Sequence, residues 1–400
     1  MKSKMKSKIV GTFVVAVLIV STFAGLVVAR ESQNSTPVSV IIGFKEPHSN
    51  EMREVVESHG GTVNKVWKII PAMAATLPPK AIEAIQKNPN VMYVEEDAMV
   101  YALGKPASPP GKDKPKKEQP PQELQWGVDR IDAELAWTMT TGTGVKVAVL
   151  DTGIAYKHPD LDDNVKGGVS VIGPRESTKP RDWTDKNGHG THCAGIIAAE
   201  NNDIGVVGVA PGASLYGVKV LRNDGSGTYS DIIDGIQWSV ANGMDVISMS
   251  LGGGFDSQAM EEACNTASIN GLILVAAAGN DGDGDPATDE ISYPAACGSV
   301  IAVGAIDQSN AAPYWSNSGY YLELAAPGVD IKSTWLDEGY DTINGTSMAC
   351  PHVSGTAALI LAANNESDVR SVLQTTADPL GDSKLYGHGL VDAEESVAVV

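Results

Sequence analysis

Four polar residues in this sequence could together break an acyl bond. Asp151 follows the apolar run Val-Ala-Val-Leu, Asn280 ends the run Val-Ala-Ala-Ala-Gly-Asn, His189 lies between glycine-containing turns, and Ser347 precedes an apolar helical stretch. A serine hydroxyl becomes a good nucleophile when an imidazole takes its proton. The imidazole in turn needs a carboxylate to fix its tautomer. An amide can then stabilise the oxyanion, so the set predicts nucleophilic acyl transfer.

Each of these signals also has a plain structural interpretation. An aspartate after a strand is often a turn former, and a serine after Gly-Thr is often a helix cap. At the start of a helix, however, the backbone N–H of Ser347 has no intrahelical partner and can point at an oxyanion. The other central histidines, His158, His192 and His352, are interpreted as packed or hydrogen-bonded structural residues.

The elements that must position these residues are short apolar runs that alternate with helical patterns after residue 122. Runs that lack polar alternation are typical of strands buried on both faces of a parallel sheet. We therefore predict an α/β fold with a mostly parallel central sheet and helices on both faces, and the reactive side chains at the carboxyl ends of its strands. The predicted strands are Val145–Leu150, Ser214–Val220, Val246–Leu251, Leu272–Ala278 and Val300–Val303, with helices at Tyr229–Asn242 and Gln258–Ser268.

Residues 37–103 predict a separate small α+β unit. Their pattern of strands and helices follows the order β-α-β-β-α-β, which is that of a ferredoxin-like split sheet with both helices on one face. The predicted elements are strands at 38–44, 62–70, 73–77 and 91–95 and helices at 50–59 and 79–85. Residues 104–121 are rich in proline and lysine and predict an exposed linker.

The N-terminus predicts export. Four lysines precede an apolar run from Ile9 to about Val28, and Ala29 offers a small residue for cleavage. A retained membrane anchor is the alternative, because the run is nearly long enough to span a bilayer. The predicted division is a signal peptide at 1–29, a prodomain at 30–103, the linker at 104–121 and a catalytic domain at 122–400.

The charge is distributed unevenly along the chain. Residues 122–400 carry 13 Lys and Arg against 38 Asp and Glu, whereas residues 1–121 carry 16 against 11. A surface this acidic disfavours nucleic acid and anionic membranes, because phosphate binding needs lysine and arginine.

Taken together, the motifs resemble the subtilisin family. The segments VLDTGI, HGTHCAG and GTSMACPH contain Asp151, His189 and Ser347 in the family's order, and AAAGN contains Asn280 at its oxyanion asparagine. The similarity runs through nearly all of residues 122–400. It implies a serine endopeptidase that works through an acyl-enzyme, with His189 as base, Asp151 as its orienting acid, and Asn280 with the Ser347 N–H as oxyanion donors.

The same resemblance implies that a substrate adds as a strand between two segments of the enzyme. The pocket for the residue before the scissile bond would be small and apolar, so we expect a preference for large apolar residues there. The residues that carry over as substrate-binding are Gly225, Ser226, Gly227, Ser250, Leu251, Gly252 and Gly279.

A calcium site also carries over from the family, with oxygen ligands of the kind that Ca²⁺ prefers. The implied ligands are Gln122, Asp160 and Asn202 together with the carbonyl oxygens of Glu200, Ile204 and Val206. A second acidic loop, at residues 281–285, is interpreted as solvated, with a further calcium site as the alternative.

Residues 37–103 resemble the family's inhibitory prodomain, which implies self-cleavage near Leu103 and a prodomain that stays bound as an inhibitor. The mature N-terminus then lies between Gly104 and about Gln122. We expect a secreted, monomeric enzyme whose partners are polypeptide substrates and its own prodomain.

Two alternatives and one open pairing remain at this point. A processing protease that cuts only after basic residues would need acidic residues in the pocket segments, which contain none, and a catalytically inactive binding protein would not need all four reactive residues. The four cysteines are Cys193, Cys264, Cys297 and Cys350, and a disulfide between Cys264 and Cys297 is left open.

Overall fold

The N-terminal unit is a four-stranded antiparallel sheet with two helices, as predicted. The computed structural model describes residues 36–46, 50–106, 119–173 and 175–400, so the predicted signal peptide and most of the linker lie outside the described residues. The strand order is β2-β3-β1-β4, which is the order of the split-sheet fold. Its elements are β1 (Val38–Phe44), α1 (Asn50–Ser58), β2 (Thr62–Val66), β3 (Ala72–Leu77), α2 (Pro79–Gln86) and β4 (Val91–Glu96).

Strand β2 is shorter than predicted. It ends at Val66, because residues 67–71 form a turn in which the Trp67 N–H donates to the Ala72 carbonyl oxygen at 3.3 Å. Pro71 has no N–H with which to continue a ladder. The predicted strand to Ile70 was therefore wrong at its carboxyl end.

The larger unit is built on a parallel sheet of seven strands in the described part of the chain, in the order β15-β14-β13-β11-β7-β9-β8. The strands after the first unit are β5 (Met99–Ala102), β6 (Lys105–Pro106), β7 (Lys146–Asp151), β8 (Val165–Ser170), β9 (Ser214–Lys219), β10 (Ser226–Thr228), β11 (Val246–Met249), β12 (Leu251–Gly252), β13 (Ile273–Ala277), β14 (Val300–Ile306), β15 (Leu322–Pro327), β16 (Ile331–Thr334) and β17 (Tyr340–Asn344). The helices are α3 (Trp126–Arg130), α4 (Ala133–Ala136), α5 (Pro180–Trp183), α6 (His189–Ala198), α7 (Tyr229–Ala241), α8 (Gln258–Ile269), α9 (Thr346–Ala363), α10 (Val369–Thr376), α11 (Ser383–Tyr386) and α12 (Ala393–Ala398).

Side chains of strand β7 show that this sheet is covered on both faces. Val147 and Val149 belong to one apolar cluster that contains α6 and α9, while Ala148 and Leu150 belong to a second cluster that contains α7 and α8. Successive side chains of a strand point to opposite faces, so both faces need apolar residues and polar alternation disappears. The predicted α/β architecture is confirmed.

Two parallel strands were absent from the prediction. β8 contains Gly167 and Gly168, and β15 contains a charged residue, Glu323, so neither looks like an apolar run. Glu323 is tolerated because Arg370 binds its carboxylate through two guanidinium nitrogens. The predicted strand 246–251 is divided into β11 and β12, which belong to different sheets.

All four cysteines are free and buried. The disulfide that the sequence left open between Cys264 and Cys297 is not formed, although the Cys264 thiol lies close enough for its hydrogen bond to raise the pKa of Cys297. In the part of the chain that the structure describes, no helix has the length and apolar character to cross a membrane.

Candidate active site

The four predicted reactive residues lie at the ends of elements that converge on one edge of the parallel sheet. Asp151 is the last residue of β7, His189 is the first of α6, and Ser347 is the second of α9. Asn280 comes after β13, beyond Gly279, whose φ is 119°. A glycine is favoured at this positive φ, and the turn brings the asparagine amide back towards α9.

Asp151 and His189 form a buried pair. Nδ1 of His189 lies 2.9 Å from each carboxylate oxygen of Asp151, and both side chains are almost fully excluded from solvent. Burial opposes charging of the imidazole, but the Asp151 carboxylate outweighs it, so the pKa of His189 lies well above 6.5. This contact sets the tautomer with the proton on Nδ1 and leaves Nε2 free to accept a proton.

The hydroxyl of Ser347 is not bonded to that imidazole in this structure. Its Oγ donates to the carbonyl oxygen of Ser250 at 2.9 Å, and Nε2 of His189 is buried with no hydrogen-bond partner among the described residues. The nucleophile and base are therefore brought to the same site but their hydrogen bond is not made.

The peptide bond between Leu103 and Gly104 lies in the same site. Nδ2 of Asn280 donates to the carbonyl oxygen of Leu103, and Oδ1 of Asn280 accepts from the backbone N–H of Thr346 at 2.9 Å, which orients the amide. A Cβ placed on Gly104 would lie 2.9 Å from Nε2 of His189. The carbonyl group of Leu103 thus lies beside the amide donor, and Gly104 lies beside the histidine ring.

The residues before this bond form a strand within the larger unit. β5 lies between β10 and β12 and is antiparallel to both, with Ser226 opposite Tyr101 and Leu251 opposite Ala102. The N–H of Ala102 donates to the Gly225 carbonyl oxygen at 2.9 Å, and the N–H of Leu103 donates to that of Ser250 at 3.3 Å. After the Leu103–Gly104 peptide bond, β6 pairs with β17. The chain is therefore extended on both sides of this peptide bond.

The side chain of Leu103 enters a pocket of small residues. A Cβ placed on Gly252 would lie 2.9 Å from Cδ1 of Leu103 and 2.9 Å from Cβ of Ser292, so a larger residue there would fill the pocket. Gly279 is held nearby, where a Cβ would lie 2.5 Å from Oγ of Ser292. Of the predicted substrate-binding segments, residues 225–227 and 250–252 therefore lie along the two sides of β5. Gly252 and Gly279 lie around the pocket.

The predicted calcium ligands also converge. Oδ2 of Asp160 accepts from the backbone N–H of Val206 at 2.9 Å, and Oδ1 accepts from Nδ2 of Asn202 at 3.2 Å. Asp160 is fully buried, and burial raises its pKa to about 6. Gln122 reaches the same loop through Nε2, which donates to Oδ1 of Asn201 at 3.1 Å.

Several residues at the site were missed by sequence reasoning. Asp185 accepts from the backbone N–H groups of Asn187, Gly188 and Thr191, and so holds the loop that leads to His189. Asn317 donates to the Ala278 carbonyl oxygen at 3.2 Å and supports the turn before Asn280. Asp185 precedes a glycine-rich segment and could have been noticed as a buried loop carboxylate, whereas nothing in the surroundings of Asn317 marked it.

The sequence of this chain matches two protein-family models. Residues 142–389 match the peptidase S8 model, described as the subtilase family, and residues 27–97 match the model of the fervidolysin N-terminal prodomain.

Three curated proteins illustrate the similarity. The chain is 42% identical over 390 residues to subtilisin E of Bacillus subtilis, with 96% of each chain covered. It is 44% identical over 332 residues to M-protease of Shouchella clausii, covering 82% of this chain and 80% of that one. It is 38% identical over 412 residues to alkaline elastase YaB of a Bacillus species, covering 98% and 99%. The chain belongs to the subtilase family and is a serine endopeptidase with an N-terminal prodomain.

Proposed function

We propose that the chain is a secreted, self-maturing endopeptidase that first cleaves its own Leu103–Gly104 bond and then cleaves other polypeptides after large apolar residues. The observation that carries this proposal is the position of that bond, with its carbonyl oxygen on Asn280 and its following residue against His189. An intact chain in this position is arranged as a substrate, because the reacting groups are held close before any chemistry takes place.

The proposed reaction begins when Ser347 Oγ leaves the Ser250 carbonyl oxygen and attacks the carbonyl carbon of Leu103. His189 Nε2 takes the hydroxyl proton, and Asp151 stabilises the resulting imidazolium. Negative charge develops on the Leu103 oxygen, where the Asn280 amide and the Ser347 N–H would bind it. His189 then gives the proton to the nitrogen of Gly104, the C–N bond breaks, and water hydrolyses the ester by the same steps in reverse.

Substrates would bind as β5 does. Main-chain hydrogen bonds to β10 and β12 do not depend on the substrate sequence, so they would give affinity, while the pocket that holds Leu103 would give selectivity. The glycines of this pocket leave room for a large side chain, and the segments 250–252 and 277–279 contain no acidic residue. This supports an apolar rather than a basic preference.

After cleavage, the prodomain would remain as an inhibitor because it binds through contacts far from the cut bond. The Glu95 carboxylate accepts from Ser257 Oγ at 2.6 Å and from the first N–H of α8, that of Gln258, at 3.0 Å. Asp97 accepts from the N–H of Ser230 at 2.9 Å, at the start of α7. Carboxylates are stabilised at helix N-termini, where the N–H groups lack intrahelical partners.

A partly buried cluster of one lysine and two aspartates adds to this interface. Nζ of Lys65 lies 2.7 Å from Asp231 and 2.8 Å from Asp234, and Nε1 of Trp67 donates to Asp234 at 2.6 Å. These contacts join the prodomain sheet to α7 and do not depend on the Leu103–Gly104 bond. They support a prodomain that keeps β5 between β10 and β12 until the prodomain is degraded.

Calcium would serve as a structural ion at the Asp160 loop. The residues fit such an ion, because Asp160 is a fully buried carboxylate and none of its hydrogen-bond donors in the described chain is a cation. The carbonyl oxygens of Glu200, Ile204 and Val206 accept no backbone hydrogen bond from the described residues. With Gln122 and Asn202 they would complete an oxygen ligand set, and the ion would neutralise Asp160.

The processing segments follow from the same proposal. Residues 1–29 would be removed on export, 30–103 would be the inhibitory prodomain, 104–121 the linker, and 122–400 the catalytic domain, acting as an extracellular monomer.

Expression of residues 30–400 with calcium, as wild type and as Ser347→Ala, tests the proposal. The wild type should cut itself at Leu103, as seen by mass, and should degrade casein, whereas the alanine variant should remain full length and inactive. If both chains stay intact and neither degrades casein, the proposed chemistry is wrong.

A further inference from the structure

A basic cleft lies beside β10, one of the two strands that flank β5. It has a volume of about 460 Å³, and its lining contains five cationic side chains, those of Arg175, Arg181, Lys186, Lys219 and Arg222. Among the described residues that line it, Asp182 is the only carboxylate. A cleft of this size can hold a ligand group rather than a single water.

This concentration of positive charge is unusual for the chain. Residues 122–400 carry only 13 lysines and arginines against 38 acidic residues, and five of the 13 line the cleft. Arg181 is paired with Asp182 at 3.5 Å and Arg222 with Asp231 at 3.3 Å. The ion pairs of the described residues include neither Lys186 nor Arg175, so the side chains that line the cleft keep an excess of positive charge.

Lys219 holds one of these charges at a fixed position. It is 6% exposed, and its Nζ donates to the carbonyl oxygen of Thr152, the residue after Asp151. Burial lowers the pKa of Lys219, and the nearby Asp185 carboxylate partly opposes this. A buried ammonium group is costly unless it is compensated. The carboxylates of Asp185, Asp151 and Asp224 supply part of that compensation, and an anion in the cleft would add to it.

The cleft shares its rim with the substrate groove. The N–H of Arg222 donates to the carbonyl oxygen of Ser226 in β10 at 2.7 Å. A Cβ placed on Gly225 would lie 3.6 Å from Cβ of Ala102 and 3.7 Å from Nδ2 of Asn187. Asn187 in turn donates to the carbonyl oxygen of Asn223, a cleft residue, at 3.0 Å. The side chain at the position of Ala102 therefore points towards this rim.

We propose that the basic cleft binds carboxylate side chains of protein substrates, beginning with an acidic residue at the position of Ala102, the second before the scissile bond. This rests on the proposed function only in taking β5 as the mode of substrate binding. A glutamate there is longer than alanine and would extend across the rim towards Lys186. Exposed ion pairs are weak, so each cation should change affinity by about 1.5- to 5-fold.

The first test uses the full chain in the Ser347→Ala background, where no cleavage is needed. Ala102→Glu should unfold about 1–3 °C higher than Ala102→Gln at low salt. This difference should vanish when Arg175→Gln and Lys186→Gln are added, and also in 1 M NaCl, but should persist with Lys384→Gln, an exposed lysine outside the cleft. Equal unfolding temperatures for the glutamate and glutamine chains would overturn the proposal, whether or not the protein is a protease.

The second test uses the self-processed enzyme and two peptides that differ only by Glu or Gln at the second position before the cut. The wild type should cleave the Glu peptide with a severalfold higher kcat/KM, and the Arg175→Gln/Lys186→Gln enzyme should cleave both alike, with the Gln peptide unaffected. Inorganic phosphate should inhibit cleavage of the Glu peptide selectively. If phosphate binds but the two peptides are cleaved equally by the wild type, the cleft is a site for free anions and the substrate assignment is wrong.

Discussion

The imidazole of His189 packs against the backbone of Gly104 so closely that residue 104 has no room for a side chain without movement. A Cβ on Gly104 would lie 2.9 Å from both Cδ2 and Nε2 of the ring and 3.5 Å from Cε of Met348. The base is thereby placed beside the residue whose nitrogen must leave when the Leu103–Gly104 bond breaks. Glycine at this position lets the intact chain enter the site.

Gly104→Val should slow self-cleavage at Leu103 by about tenfold or more, because the added atoms must displace His189 or shift the bond away from Asn280. The measurement is the rate of appearance of the cleaved prodomain by gel or mass after refolding with calcium. Cleavage of casein by enzyme that has already matured should be unchanged, since residue 104 has then left the site. An unchanged self-cleavage rate would show that His189 moves freely.

The pH dependence of kcat/KM should have an acid limb above pH 6.5. Asp151 raises the pKa of His189 against the opposing effect of burial, so the ring is protonated, and unable to take the serine proton, up to a higher pH than a free histidine. Asp151→Asn removes that charge and should move the limb to lower pH while lowering the rate by about 10⁴. A limb below pH 6.5 in the wild type would contradict this.

Calcium should stabilise the chain more as the pH rises through about 6. Burial raises the pKa of Asp160 to about 6 from 3.8, so calcium-free folded protein keeps a proton that the unfolded chain releases. The free energy of unfolding of the calcium-free protein should therefore fall by about 2 kcal/mol between pH 4 and pH 7. Calcium takes the place of the proton on Asp160 and should therefore restore the free energy of unfolding that is lost at pH 7.

Thermal unfolding of the Ser347→Ala chain with calcium or with EDTA checks this. The gap between the two melting temperatures should be larger at pH 7 than at pH 5 and should be lost in Asp160→Asn. Asp203→Asn changes an exposed carboxylate in the same loop and should keep the gap. A wild type indifferent to EDTA at pH 7 would exclude the site.

An organomercurial should inactivate the enzyme through Cys193. Sγ of Cys193 lies 3.9 Å from Nδ1 of His189 and donates to the carbonyl oxygen of Ser347 at 3.5 Å, so a mercury atom there would displace the base. Burial raises the pKa of this thiol, and the reaction should be slow because thiolate is the reactive form. Cys193→Ala should resist inactivation, whereas Cys264→Ala, also buried, should remain sensitive.

The central sheet could be predicted where its strands have a continuous apolar run, as at residues 147–150 of β7 and in β13, because a strand buried on both faces leaves no other pattern. Strands β8 and β15 could not, since their glycines or charged residue are explained only by neighbours distant in sequence, such as Arg370 beside Glu323. The closeness of Asp151 and Asn280 to one edge of the sheet followed from the rule that side chains at the carboxyl ends of parallel strands lie together. His189 lies at the start of α6, so the strand pattern alone did not place it.

Other features depend on contacts that no local pattern reveals. Strand β5 exists because β10 and β12 flank it, and its four residues carry too little information to be recognised alone. The hydrogen bond of Ser347 to Ser250 rather than to His189 is likewise a property of the assembled site. The basic cleft gathers cations that are separated by more than 40 positions along the chain.

The most direct test of the account is the labelling of self-processed enzyme with a fluorophosphonate, followed by peptide mapping. The enzyme should carry one label per molecule, on Ser347, with labelling much slower in Asp151→Asn and absent from full-length Ser347→Ala. Labelling at another residue, or none in enzyme that has lost its prodomain, would contradict the assignment of Ser347 as the nucleophile.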